Sequence, residues 1–237
     1  MPTLAIVGSK GGCGASLVAT NLALALTRHG ATLLVDLHNG DGADDLLLDL
    51  RPEHSWADLL AVAGELDPRQ LDLASTRHPG GLRFLASPPR PIPVQASPLI
   101  PLLLQALTAR CDWLVLDLPS SSAETQLADT LVIVATPDPP ALRNAQRLLE
   151  RLLPETRSHA SLVLNQYTRA HPGNPQSIAM ALECPLLGVL PPDSRGVGFQ
   201  ISFGRPCLLD GQSSFGRGSA AIARTLAAKR NAERAAA

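Results

Sequence analysis

Short apolar runs recur along the chain, and most are followed by a stretch in which apolar and polar residues alternate with helical spacing. Leu4 to Val7 precedes Leu17 to Arg28, Thr32 to Val35 precedes Trp56 to Ala63, and Leu82 to Leu85 precedes Leu99 to Ala109. Beyond these lie Trp113 to Leu116, Leu131 to Ala135, a helical Pro140 to Leu153, Ser161 to Leu164, a short helix near Ile178 to Leu182, Leu187 to Leu190, and a last helix from Ser219 to about Arg230. Runs that are apolar throughout suit strands covered on both faces. Their alternation with amphipathic helices predicts a three-layer, doubly wound α/β fold with a mostly parallel sheet. Ligands in such sheets sit at the carboxyl ends of the strands, so chemistry is expected just after each run.

The stretch from Ser87 to Pro101 carries six prolines. Proline lacks a ladder donor and restricts the residue before it, so this stretch reads as an internal loop rather than a strand. No composition shift divides the rest, and residues 1–228 are expected to form one domain. Residues 229–237 are rich in Ala, Lys and Arg without an apolar stripe and are expected to fray.

Composition changes this picture in two respects. The chain is 45% hydrophobic but only 3% aromatic, which calls for a core of Leu, Ala and Val. With 20 Lys and Arg against 21 Asp and Glu, the formal charge of -1 gives no global field to recruit nucleic acid or an anionic membrane. The four cysteines, Cys13, Cys111, Cys184 and Cys207, have no metal-type spacing and are expected to be reduced thiols of a cytoplasmic protein. No leader or membrane-spanning run is legible.

The chemistry starts directly after the first run. Ser9-Lys10-Gly11-Gly12-Cys13-Gly14-Ala15-Ser16-Leu17 links the first strand to the first helix. Glycines let backbone N–H groups curl around phosphate oxygens, the helix N-terminus favours negative charge, and the Ser16 hydroxyl is placed to ligate Mg²⁺. An apolar strand ending in a carboxylate follows at Leu114-Val115-Leu116-Asp117, where the acid can orient the same ion. The second strand ends at Asp36-Leu37-His38. Asn165, after Val163-Leu164, can make paired hydrogen bonds to a purine edge.

Lys10-Gly-Gly-x-Gly14 with Ala15 before Ser16 resembles the deviant Walker A loop of the ParA/MinD superfamily of P-loop ATPases. The resemblance implies ATP and Mg²⁺ as ligands, a homodimer, and a cross-dimer reach of Lys10 to the partner copy's phosphates. It also assigns the nucleotide to Lys10, Gly11, Gly12, Cys13, Gly14, Ala15, Ser16 and Leu17, with Asn165, Pro191 and Asp193 at the base, and adds Asp36 to the candidate metal ligands. Two departures weaken catalysis. Ala15 stands where the phosphate-clamping lysine is usual, and His38 where the family carries a water-orienting aspartate, so hydrolysis is expected to be weak or absent, with Asp36 and His38 the candidates for what remains.

The segment Thr136 to Leu149, together with Gly14-Ala15-Ser16, is similar to the CpaE/TadZ branch, which implies a positioning role for a Tad/Flp pilus or related secretion machine and recruitment to a pole or membrane-associated assembly. Within it Arg143, Arg147 and Arg151 form a basic stripe opposite Leu142, Ala145, Leu149 and Leu152. The stripe suits an acidic partner, DNA phosphate or lipid, or a solvated face paired with Glu150 and Glu155. An active ATPase in DNA partition or division-site placement, and a nucleotide-free scaffold, are the alternatives.

Overall fold

The computed structural model describes residues 3–120 and 122–236. Eight strands form one sheet: β1 (Thr3–Gly8), β2 (Thr32–Asp36), β3 (Thr76–Arg77), β4 (Arg83–Leu85), β5 (Trp113–Leu118), β6 (Thr130–Ala135), β7 (Ala160–Leu164) and β8 (Leu186–Val189). Their spatial order is β3-β4-β2-β5-β1-β6-β7-β8, all pairs parallel except β3 with β4.

Period-two alternation divides each strand between two cores. Ala5 and Val7 of β1 face a cluster with Trp56, Leu103, Leu107, Ala145 and Leu149. Leu4 and Ile6 face a second cluster built on helix α1 (Ala15–Leu26) and a long C-terminal helix. Burial on both faces explains why these strands read as unbroken apolar runs, and it makes the fold three-layered as expected.

The remaining helices are α2 (Asp44–Leu47), α3 (Pro68–Ala74), α4 (Ile100–Thr108), α5 (Pro139–Arg151), α6 (Pro154–Ser158), α7 (Pro175–Ala181), α8 (Ser194–Phe203) and α9 (Ser214–Ala236). Trp56–Glu65 is a 3-10 helix rather than an α-helix. The proline-rich stretch stays loop-like only as far as a 3-10 turn at Val94–Leu99, after which α4 begins with a proline in its first turn. Helix α8 went unread in the sequence because Gly196 and Gly198 dilute its apolar pattern; it packs on α2 and α9.

Helix α9 starts earlier and runs longer than the stretch from Ser219 to about Arg230 read from the sequence, spanning Ser214–Ala236. Arg230 is buried; its guanidinium Nη2 donates to Asp112 Oδ1 at 3.2 Å and its Cζ lies 4.6 Å from the Trp113 ring centroid. These contacts hold the helix at Arg230, whereas residues 231–235 are exposed. Among the described residues no helix is long and apolar enough to cross a membrane.

Candidate nucleotide and metal site

Strand order creates the site. Strand β1 lies between β5 and β6, so the connection leaving its carboxyl end opens at the point where the chain turns toward opposite halves of the sheet, the usual ligand crevice of such folds. The glycine loop occupies that place. Gly12 and Gly14 have φ of 77° and 88°, left-handed values that favour glycine, and Gly14 is the N-cap of α1. A Cβ at Gly14 would lie 2.5 Å from Asn165 Nδ2, so the close approach of β7's end to the loop also requires glycine there. The loop bounds a cavity of about 250 Å³ lined by Lys10 through Leu17, His38 and Ser120.

Asp36 and Asp117 meet for a reason of register. They are direct partners across the β2–β5 ladder, and each lies two residues beyond a member of the α1-side core, Leu34 and Val115. Period two therefore points both carboxylates to the face that carries Ser16. Asp36 is held by the backbone N–H of His38 at 3.1 Å (to Oδ1) and of Asp44 at 3.3 Å (to Oδ2). The His38 ring Nδ1 lies 2.9 Å from Asp36 Oδ1 and 3.6 Å from Asp117 Oδ2. One ligand atom from each of Asp36, His38 and Asp117 falls within 4.8 Å of the others.

The electrostatics follow from this enclosure. Asp117 is 1% exposed, and neither of its oxygens accepts a hydrogen bond of good geometry, although the Ser16 hydroxyl lies beside it. Burial pushes its carboxyl up to about 7, against the lowering influence of the nearby Ser16 hydroxyl and His38. His38 is raised above its ordinary value, first by its hydrogen bond to Asp36, against burial, and then by the charges of Asp117, Asp36 and Asp41. Buried carboxylates without donors call for a cation. With Ser16 in the adjoining cavity, the residues fit a divalent ion bound beside a phosphate chain.

A second cavity of about 210 Å³ adjoins the first, with Leu17 on the border of both. Asn165, Gln166, Pro191, Pro192, Asp193, Val197 and Phe215 line it. The structure gives two of these residues further work. Asn165 is buried, donating from Nδ2 to the Cys13 carbonyl at 2.8 Å and accepting from the Gln166 N–H at 2.9 Å, so it braces the glycine loop. Asp193 caps α8 through the Gly196 N–H at 2.8 Å and accepts from the Ser213 hydroxyl at 2.7 Å and the Phe215 N–H at 3.2 Å. Burial opposes its ionisation, but these bonds and one from Ser214 outweigh burial and hold the carboxyl down at about 2.

No family model matches the chain. Its sequence is 28% identical over 219 residues to a putative septum site-determining protein MinD of Guillardia theta, covering 86% of this chain and 80% of that one. The MinD of Synechocystis is 26% identical over 218 residues, covering 87% and 82%. Among solved structures, a ParA family ATPase of Chlorobium tepidum superposes with a TM-score of 0.82 at 23% identity, over 95% of this chain and 98% of that one. The fold is that of the ParA/MinD P-loop ATPases. Two MinD structures share it: the Aquifex aeolicus MinC:MinD complex, with TM-score 0.80, 21% identity and 95% of each chain covered, and Pyrococcus horikoshii MinD with Mg-ADP, with TM-score 0.74, 19% identity and 95% of each covered.

Within this ParA/MinD fold three residues of the site were not legible from the sequence. Asp138 faces Lys10 from the start of α5, with both carboxylate oxygens 3.2 Å from Nζ. Asp44 is fully buried with neither oxygen hydrogen-bonded; burial, then the charges of Asp117, Asp36 and Asp45, raises it well above the ordinary carboxylate range. It reads in sequence as one more acid of a solvated loop. Ser120 donates to the Gly8 carbonyl at 2.7 Å and so anchors the start of the glycine loop. The arginines of the α5 stripe are exposed, and among the described residues none forms an ion pair; Glu150 instead accepts from Gln146 at 3.1 Å. All four cysteines are buried free thiols.

Proposed function

We propose that this chain is a nucleotide-switched positioning protein. ATP with a divalent ion fills the two adjoining cavities, phosphates on the glycine loop and base against Pro191 and Phe215. Two copies then close face to face, each Lys10 reaching the phosphates of the other, and the closed dimer offers a surface to an envelope-associated assembly. The ligand acts chiefly by stabilising one conformation. Ala15 provides no cationic clamp and His38 no carboxylate for water, so hydrolysis is slow.

The observation that carries this reading is the glycine cradle lined by Ser16 and His38, with the buried Asp117 carboxylate beside both of them, an arrangement that gains most from a metal–phosphate ligand. Support comes also from a MinD of the same fold named as a complex with Mg-ADP, and from another named as a complex with MinC. The narrower assignment to a Tad/Flp pilus or secretion machine rests on Gly14-Ala15-Ser16 and on the α5 segment. A division-site role is the second reading, favoured by the septum site-determining relatives.

Calorimetry with ATP and Mg²⁺, followed by light scattering with and without nucleotide, tests the core proposal. Saturable binding and an ATP-dependent doubling of mass that Lys10→Ala abolishes are expected; absence of binding at millimolar ATP rejects it. Deleting the gene separates the two assignments, since loss of pili with normal septa supports the first and misplaced septa the second.

A further inference from the structure

We propose that the Asp36–His38–Asp117 cluster is a histidine-containing site for a first-row transition-metal dication, which it takes in preference to Mg²⁺. The inference deepens the proposed function by naming the ion class beside the phosphates, and it rests on that reading only for its setting.

The geometry comes first. His38 Nδ1 is 2.9 Å from Asp36 Oδ1 and 3.6 Å from Asp117 Oδ2. Ligands about 2.1 Å from a shared ion lie roughly 3 to 3.5 Å apart, close to the two distances from His38, and one ligand atom of each of the three residues lies within 4.8 Å of the others, so small side-chain shifts bring all three onto one ion. A hydrogen bond alone does not satisfy the group. The single proton on Nδ1 can serve Asp36, which leaves Asp117, a side chain 1% exposed, with no hydrogen bond of good geometry and only the nearby Ser16 hydroxyl to face it. An ion in place of that proton serves all three at once.

The donor set then selects the ion. Mg²⁺ favours oxygen ligands and retains its waters, whereas imidazole nitrogen suits iron, cobalt, nickel and zinc. The outer contacts are in place: backbone N–H groups of His38 and Asp44 fix Asp36, and such contacts orient ligands before the ion arrives. His38 and Ser16 line the same cavity, so the ion sits where the phosphates of a nucleotide would reach it.

The test uses Co²⁺ on the tag-free, full-length chain without nucleotide. One equivalent is expected to give visible d–d bands that millimolar Mg²⁺ does not remove, with His38→Ala and Asp117→Asn each weakening binding about tenfold or more. In ¹⁵N-histidine spectra of the wild type, which need no variant to fold, Co²⁺ should shift or broaden the His38 ring first among the six imidazoles. Equal Co²⁺ affinity in wild type and a folded His38→Ala, or an undisturbed His38 signal, overturns the inference. If calorimetry still shows ATP binding in that case, the nucleotide proposal stands alone; if Co²⁺ binds through His38 and ATP does not bind, the metal site stands alone.

Discussion

Lys10 and Asp138 form an ion pair across the mouth of the glycine loop: Nζ lies 3.2 Å from each carboxylate oxygen, and both side chains are about one-third exposed. Asp138 is also the N-cap of α5, accepting from the Ala141 N–H at 3.0 Å, and it accepts from the Thr136 hydroxyl. The Thr136 bond and then the Ala141 bond, against slight burial, together with Lys10 hold its carboxyl below the usual range. In the single chain the lysine proposed to reach a partner copy is thus held by its own subunit.

Asp138→Asn should release Lys10 while keeping the cap, because Asn caps helices about as well as Asp. A partly exposed pair contributes only about 0.2 to 1 kcal/mol, so stability changes little, but the ATP concentration that half-saturates dimerisation should fall by about two- to fivefold. Light scattering across an ATP titration measures this. An unchanged midpoint means the pair does not compete with the dimer.

Restoring the two missing catalytic groups should restore turnover. The double variant Ala15→Lys, His38→Asp is expected to release phosphate at least about tenfold faster than the wild type in Mg-ATP, since each group supplies charge stabilisation or water orientation in phosphoryl transfer. A coupled phosphate assay reads the rate. No increase would place the block in the dimer rather than the site.

Arg230→Ala removes a buried guanidinium from Asp112 and from the Trp113 ring. The combined loss is about 1.5 to 3 kcal/mol, and in a domain of this size each kcal/mol lowers Tm by about 2 to 4 °C. Thermal melting followed by circular dichroism should show it, with Arg230→Lys intermediate. A melt within 1 °C of wild type, on the order of error, would mean α9 can fray without cost.

Asp193 predicts a specific acid sensitivity. Its folded carboxyl titrates near 2, below the unfolded value of about 3.9, so its contribution is fully present above pH about 4 and is lost as pH falls through about 2. After allowance for solvent screening the amount is about 1 kcal/mol. Urea unfolding between pH 5 and pH 2, on the order of that window, should show the wild type losing more stability than Asp193→Asn. Parallel curves would remove Asp193 from the acid response.

Asn165→Ala should loosen the glycine loop, because the Cys13 carbonyl loses its donor. A cost of about 1 to 2 kcal/mol is expected, with weaker nucleotide binding that does not depend on which purine is offered. If only adenine nucleotides lose affinity, Asn165 reads the base after all.

Local spacing alone determined much of this protein. Apolar runs alternating with helical periods specify covered parallel strands, and a glycine-rich turn between the first run and the first helix specifies an anion cradle, because both depend on neighbours a few residues apart. Ser16, Asp36 and Asp117 were legible for the same reason, each standing just past a strand. What the tertiary structure decided is which of these meet. Asp36 faces Asp117 only because β2 pairs with β5 in that register, and Lys10 finds Asp138, 128 residues away, only because β1 pairs with β6. Asn165 braces Cys13 across 152 residues, and Arg230 is buried in a tail whose composition suggests fraying. Such pairings depend on strand order and on burial by distant segments, which no local pattern contains.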